Sequence, residues 1–205
     1  VMRDIVKMIL SACGGMYYFD GGSGNGKTTF VARLLRRLNR LGIHAVVVQL
    51  DHLIKNQEWR AAKEREILES GDIYLTEYDF FQEDRIEEML GEIVEFRQTG
   101  RASHRLVIRG AFTKLKDRIV CEDKVFNLRR DTVVLVDGKY ASRFSRYFDR
   151  GFRVKGDPEF VRRKLTQRFE DLYPNLVEQK QRAVRTAYEP SFEAHAERTA
   201  HRIDG

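Results

Sequence analysis

The run Gly21-Gly22-Ser23-Gly24-Asn25-Gly26-Lys27-Thr28-Thr29 carries the residue types that hold a polyphosphate. Glycines let consecutive backbone N–H groups turn inward around an anion with no Cβ in the way. Lys27 supplies a mobile cation for β- and γ-phosphates, and the hydroxyl of Thr28 is a ligand for Mg²⁺. The order matches the pattern G-x-x-x-x-G-K-[ST], with Gly21, Gly26, Lys27 and Thr28 in the defining places. Residues 21–29 are therefore expected to bind ATP together with Mg²⁺.

Further charged residues stand where such a site needs them. Asp51 ends the apolar run 45–50, and Asp137 ends the run 132–136. Ligands of open α/β sheets bind outside the carboxyl ends of the strands, which puts both acids beside the phosphate loop. Asp137 is the expected partner of Thr28 at the metal; the plain alternative is a core strand that ends in a turn. For Asp51 the plain alternative is a helix N-cap. His52 follows directly and is close enough in sequence to touch acceptor or phosphate, although a polar loop residue would look the same. The stretch 72–81 is aromatic and acidic, with Asp72, Tyr78 and Asp79 as candidate ligands and its aromatic rings as candidate core. Arg162, Arg163 and Arg168 could supply positive charge to a transferred phosphate, or could simply form a solvated helix face. At i, i+1 and i+6 on a helix of 3.6 residues per turn they cannot all face one ligand, so one or two are expected to act.

These residues need elements to hold them. Residues 16–19 read as a buried strand before the glycine run. Phe30, Val31, Leu34, Leu35, Leu38 and Leu41 recur at helical spacing after it, with Gly42 as the C-terminal stop. Strand, glycine loop and helix in that order aim the helix N-terminus at the phosphates. Residues 2–13 form an amphipathic helix with Ile5, Val6, Ile9 and Leu10 on one side. Strands are expected at 45–50, 132–138 and 151–155, with a short last one over 200–204. Helices are expected over 55–70 and over the apolar repeat Ile86 to Phe96. A third begins at Asp157-Pro158 and a fourth follows Pro174 and runs to about residue 188. Three short β-like runs, 106–108, 118–120 and 124–126, predict a small antiparallel flap. About 80 residues separate the strands that end in Asp51 and Asp137, more than a crossover requires, and the excess is assigned to acceptor binding.

Composition narrows the rest. The chain has 205 residues, 42% of them hydrophobic, which suits a single domain over 1–205, with the flap and acceptor region at about 70–130 and a lid at about 157–175. No run reaches the length of a membrane span, so no membrane partner is expected. Cys13 and Cys121 are the only cysteines and lack metal spacing, which predicts free thiols in a reducing, cytoplasmic setting. His195 and His201 have no ligand spacing either. The net charge of +6 fits a site for polyanionic small molecules, and no RNA-recognition signature or zinc finger directs it to nucleic acid. A homo-oligomer stays open.

Taken together, the glycine loop, Leu50-Asp51, Tyr78-Asp79, the flap, Val133 to Gly138 and the arginine helix after Asp157 resemble the uridine kinase and phosphoribulokinase group of P-loop kinases. The resemblance covers most of residues 16–204. It implies an α/β P-loop kinase fold with a five-stranded parallel sheet flanked by helices, a small antiparallel flap and an Arg-rich lid helix. It implies transfer of the γ-phosphate of ATP to a hydroxyl of a small metabolite, with Asp51 as the base that takes the hydroxyl proton. Arg162, Arg163 and Arg168 would belong to the lid, and Asp72 or Asp79 would hold acceptor hydroxyls. Three departures stand out. Ile108-Arg109-Gly110-Ala111-Phe112 stands where the family has a proline–tyrosine–aspartate element before the flap. Asp51 is followed by His52-Leu53-Ile54 where the family has an aromatic-containing D-x-F-Y, and Asp137 stands where uridine kinases usually have Glu. Other readings of the same loop are a nucleotide switch without acceptor and a kinase of nucleic-acid ends.

Overall fold

The computed structural model describes residues 1–12, 14–70, 77–114, 119–172, 175, 177–185, 189 and 192–193, a few of them by backbone alone. Its centre is a parallel four-stranded sheet, ordered β2-β5-β1-β6, built from β1 (Gly15–Asp20), β2 (Ala45–Gln49), β5 (Val133–Asp137) and β6 (Arg150–Arg153). Every residue of β1 and β5 is buried. Both strands are covered on two faces, which is why they read as unbroken apolar runs rather than alternations. The segment expected to add a fifth strand, 200–204, lies outside the described residues.

Alternate residues of the central strands feed two cores. Tyr17, Phe19, Val133 and Leu135 pack against α1 (Met2–Ser11) and α2 (Lys27–Arg40), through Ile5, Val6 and Ile9 of the first and Val31, Leu34 and Leu38 of the second. Leu10 and Leu41, expected on the buried sides, are exposed instead, because both sit at the last turn of their helix. Met16, Tyr18, Val134 and Val136 face the other way, onto α4 (Glu83–Gln98) through Ile86, Met89, Leu90, Ile93 and Phe96. Fully burying each such Leu, Ile or Phe is worth about 1.5–3 kcal/mol before entropy is charged against it. Gly42 and Gly100 close α2 and α4 with positive φ, as their places in the sequence predict.

The flap is larger than the three short runs suggest. Two long antiparallel strands, β3 (Ser103–Lys114) and β4 (Ile119–Arg129), pair from Ser103–Arg129 outward to Lys114–Ile119. The register shifts between Ile108 and Ala111. Gly110, at φ +57, turns through the irregularity while its N–H donates to Asp123 Oδ1 at 2.8 Å. The residues that look like breaks between runs are thus absorbed as a bulge, which bends a strand without ending it. A 14-residue helix, α3 (Gln57–Ser70), precedes this region, and α5 (Pro158–Leu172) and α6 (Val177–Ala183) follow β6. Among the described residues no helix is long and apolar enough to cross a membrane.

Candidate active site

The carboxyl edge of the sheet assembles the site. Asp137 lies level with Phe19 of β1 on one side and with Gln49 of β2 on the other. Asp20, Asp51 and Asp137 therefore leave three neighbouring strands at one edge. The glycine loop springs from that edge and enters α2 at Gly26, whose φ of +81 is open to glycine and strained for other residues. A Cβ on Gly21 would collide with the carbonyl oxygen of Val154, so close backbone approach demands glycine there as well. Lys27 folds back over the loop and donates to the carbonyl oxygens of Gly21 at 2.6 Å and Gly22 at 3.1 Å. Burial pushes its pKa down from the ordinary lysine value. The carboxylates of Asp137, Asp51 and Asp20 oppose that push in falling order, and Lys139 adds to it.

Thr28 donates its hydroxyl to Asp137 Oδ2 at 2.6 Å. The residue Asp137 is 4% exposed, and its other oxygen, Oδ1, is buried with no hydrogen-bond partner among the described residues. Burial pushes its pKa up, against the Thr28 hydrogen bond and the Lys27 charge. A hydroxyl and a carboxylate, one of whose oxygens is buried without a hydrogen-bond partner among the described residues, form a hard-oxygen donor pair that fits Mg²⁺. Among the described residues no group of three or more His, Cys, Asp or Glu could cage a metal. One hydroxyl and one carboxylate suit an ion that completes its coordination shell with water and substrate phosphates, as Mg²⁺ does.

Two residues that reading by motif misses complete the phosphate side. Asp20 is fully buried. Its Oδ1 accepts the N–H of Gly21 at 2.7 Å and of Tyr140 at 3.0 Å, and its Oδ2 accepts the hydroxyl of Ser142 and, at 3.4 Å, the Ser142 N–H. One carboxylate thus ties the start of the glycine loop to the turn after β5. The signal was available: Asp20 is an acid at a strand end, like Asp51 and Asp137. The second residue, Lys139, is 7% exposed and lines a cleft of about 560 Å³ together with Ser23, Asn25, Arg153, Val161 and Phe192. A lysine directly after Asp137-Gly138 was its only trace in the sequence.

Helix α5 covers this cleft with its apolar side. Val161 and Leu165 pack against Gly24, while Leu165 and Phe169 join Val184 in a small core. Arg162, Arg163 and Arg168 are all exposed, and none lines the cleft. The cations that do line it are Lys139, Arg153 and Lys155.

On the acceptor side, Asp51 lies within the short 3₁₀ turn Leu50–Leu53 and is exposed. The N-cap of that turn is Gln49, so Asp51 does not cap it. His52 is half-buried, and its Nδ1 is buried without a hydrogen-bond partner among the described residues. Burial and then Lys124 of β4 push its pKa down, against Asp51 and Glu122. The turn is anchored by Gln82, whose N–H donates to Leu53 O at 2.8 Å, and by Lys55, whose N–H donates to Phe80 O at 2.7 Å. Asp79 sits in the neighbouring turn Glu77–Phe80, half-buried. Asp72 and the side chain of Tyr78 lie outside the described residues, as do Cys13, His195 and His201. Cys121 is an exposed free thiol on β4.

No protein-family model matches the sequence, and no curated protein matches it. Solved structures do. D-glycerate 3-kinase from Cryptococcus neoformans var. grubii aligns over 94% of this chain and 87% of its own, with TM-score 0.59 and 11% identity. A protein described as a possible uridine kinase from Bacillus stearothermophilus aligns over 98% and 97%, with TM-score 0.54 and 17% identity. Phosphoribulokinase from Rhodobacter spheroides aligns over 88% and 67%, with TM-score 0.53 and 15% identity. The chain has the α/β fold of the uridine kinase and phosphoribulokinase group of P-loop kinases.

Proposed function

We propose that the protein is a kinase that transfers the γ-phosphate of ATP to a hydroxyl of a small metabolite. The observation that carries this reading is the Thr28–Asp137 pair, held 2.6 Å apart beside the glycine loop, with the second Asp137 oxygen buried and lacking a hydrogen-bond partner among the described residues. Residues 21–29 hold the phosphates, and Lys27 exchanges its two carbonyl contacts for phosphate oxygens. Thr28 and Asp137 would hold Mg²⁺, which neutralises charge on the phosphates. Asp51 leaves β2 at the same edge and is near enough to act on the Lys27 charge. It takes the proton of the acceptor hydroxyl, a role that asks for placement rather than a strongly basic group. His52, Asp72, Tyr78 and Asp79 are assigned to the acceptor, and the solved structures of similar fold, which include a glycerate kinase, support a small hydroxylated acceptor.

The test is a coupled ADP-release screen over nucleosides, sugars, glycerate, pantothenate and oligonucleotide 5′-ends, with the Lys27→Ala protein as control. Acceptor-dependent release with a small hydroxylated compound, lost in the control, is the expected result. Slow release that no acceptor accelerates would replace this reading with a nucleotide switch. Release driven by oligonucleotides alone, and weakened by salt, would replace it with an end kinase.

A further inference from the structure

We propose that Lys139 is a second phosphate-binding cation of this site, whose ammonium contacts the terminal phosphate of the bound nucleotide and so distinguishes a triphosphate from a diphosphate. The proposal rests on the nucleotide-site reading above and adds to it a residue outside the glycine motif.

The first observation is placement. Lys139 is buried, although an ammonium loses much of its hydration when taken out of water and is retained there only with compensation. It lines the cleft beside Gly22, Ser23 and Asn25. Its ammonium lies 5.4 Å from the ring centre of Tyr140 and 5.5 Å from that of Phe192, within the range of a cation over an aromatic face. Phe192 in turn packs on the loop, because a Cβ on Gly22 would lie 3.7 Å from its ring. Lys139 and Lys27 are also close enough for their charges to oppose each other. Both ammonium groups stand near the first glycines of the loop, Lys27 on the carbonyls of Gly21 and Gly22 and Lys139 in the cleft that Gly22 lines, and an anion there relieves their mutual repulsion.

The second observation is the backbone. Tyr140, next in the chain, has φ 67, and it is the one described non-glycine residue in the left-handed region. A bulky residue there is strained and persists where its surroundings enforce it. The enforcing group is visible: Oδ1 of the buried Asp20 carboxylate accepts both Tyr140 N–H and Gly21 N–H, and its Oδ2 accepts from Ser142. Strain is thus maintained at the residue that follows Lys139, and it fixes Lys139 relative to the start of the glycine loop.

The end of the nucleotide that Lys139 meets follows from the loop. The N-terminus of α2, at Lys27 to Thr29, faces the inner phosphates, whereas Lys27 Nζ reaches over Gly21 and Gly22 toward the outer ones. Lys139 lines the cleft on that Gly22–Ser23 side.

Calorimetric titration of the full chain with Mg·ADP and with Mg·AMPPNP, a non-hydrolysed triphosphate, tests the assignment without any acceptor. Lys139→Met should weaken AMPPNP about 10- to 100-fold, the range of one charge-assisted hydrogen bond. ADP affinity should change by less than about twofold, and Lys139→Arg should recover most of the AMPPNP affinity. Thermal melts establish that each variant folds, and Lys139→Gln serves in the same way if the Met protein does not. Equal loss for both nucleotides, or no loss, overturns the proposal while leaving the nucleotide site intact. A wild-type chain that binds neither nucleotide overturns the site reading, and this proposal with it.

Discussion

The carboxylate of Asp20 accepts the backbone N–H of Tyr140 at 3.0 Å, across 120 residues of sequence, and with its remaining contacts joins two loops that must sit together to hold a phosphate. Asn in its place keeps one acceptor oxygen but turns an amide N–H₂ toward the N–H of Ser142. A donor then faces a donor inside a buried site, a loss of about 1–3 kcal/mol. Asp20→Asn should therefore lower the urea midpoint by that equivalent with an unchanged slope, and should weaken nucleotide binding. An Asp20→Asn protein as stable as the wild type would show that the two loops are held by something else.

Asp137 should show the opposite trade. Burial raises its pKa, so between the ordinary aspartate value and the raised one the folded protein binds more protons than the unfolded chain. Stability then falls as pH rises through that window, and at neutral pH the ionised group costs stability. Asp137→Asn keeps an oxygen for the Thr28 hydroxyl and removes the buried charge. The ligand-free variant should be more stable than wild type at pH 7, by about 1 kcal/mol, and should lose the dependence of nucleotide binding on Mg²⁺. Melting curves with and without Mg·ADP check both halves. A destabilised variant that still responds to Mg²⁺ would remove Asp137 from the metal site.

Helix α5 turns Val161 and Leu165 toward the loop and leaves Arg162, Arg163 and Arg168 exposed, while Arg153 lines the cleft. Arg153→Ala should weaken Mg·AMPPNP binding about tenfold, in line with one charge-assisted contact. Each of the three helix arginines, changed singly to Ala, should shift stability by no more than about 0.5 kcal/mol. Among these three, turnover should fall sharply for one or two at most, those that closure of α5 can swing over the phosphates. Equal small effects at all three would leave them as a solvated face.

The centre of the sheet was legible because β1 and β5 are buried on both faces: Met16 to Phe19 and Val133 to Val136 have no charged residue to blur them. The glycine loop was legible because backbone geometry restricts it to so few residue types. The flap was only half legible, since a bulge at Gly110 imitates a strand end when only neighbours in sequence are weighed. Asp20 and Lys139 stayed hidden for a different reason. Their roles come from Tyr140, Ser142 and Phe192, which local spacing cannot connect to them. The side of α5 that faces the cleft was likewise set by Gly24, a contact across more than a hundred residues, and not by where arginines cluster in the chain.

Asp51 offers the sharpest test of the chemistry. It follows β2 at the edge that carries Asp20 and Asp137, it is exposed, and its charge reaches Lys27. Because Gln49 is the N-cap of the Leu50–Leu53 turn, replacing Asp51 removes no cap. Asn preserves size and most hydrogen bonding but cannot take a proton at working pH. If Asp51 is the base, Asp51→Asn should lower kcat by about 10²–10⁴-fold with the acceptor that the screen identifies. Affinity for Mg·AMPPNP should hardly move, since the glycine loop, Lys27 and the Thr28–Asp137 pair are untouched. Melting temperature should not move either, because an exposed side chain away from caps and cores contributes little. A folded Asp51→Asn protein that turns over at close to the wild-type rate would refute the assignment, and the proton would then have to leave through another group at the same edge, of which His52 is the nearest in sequence.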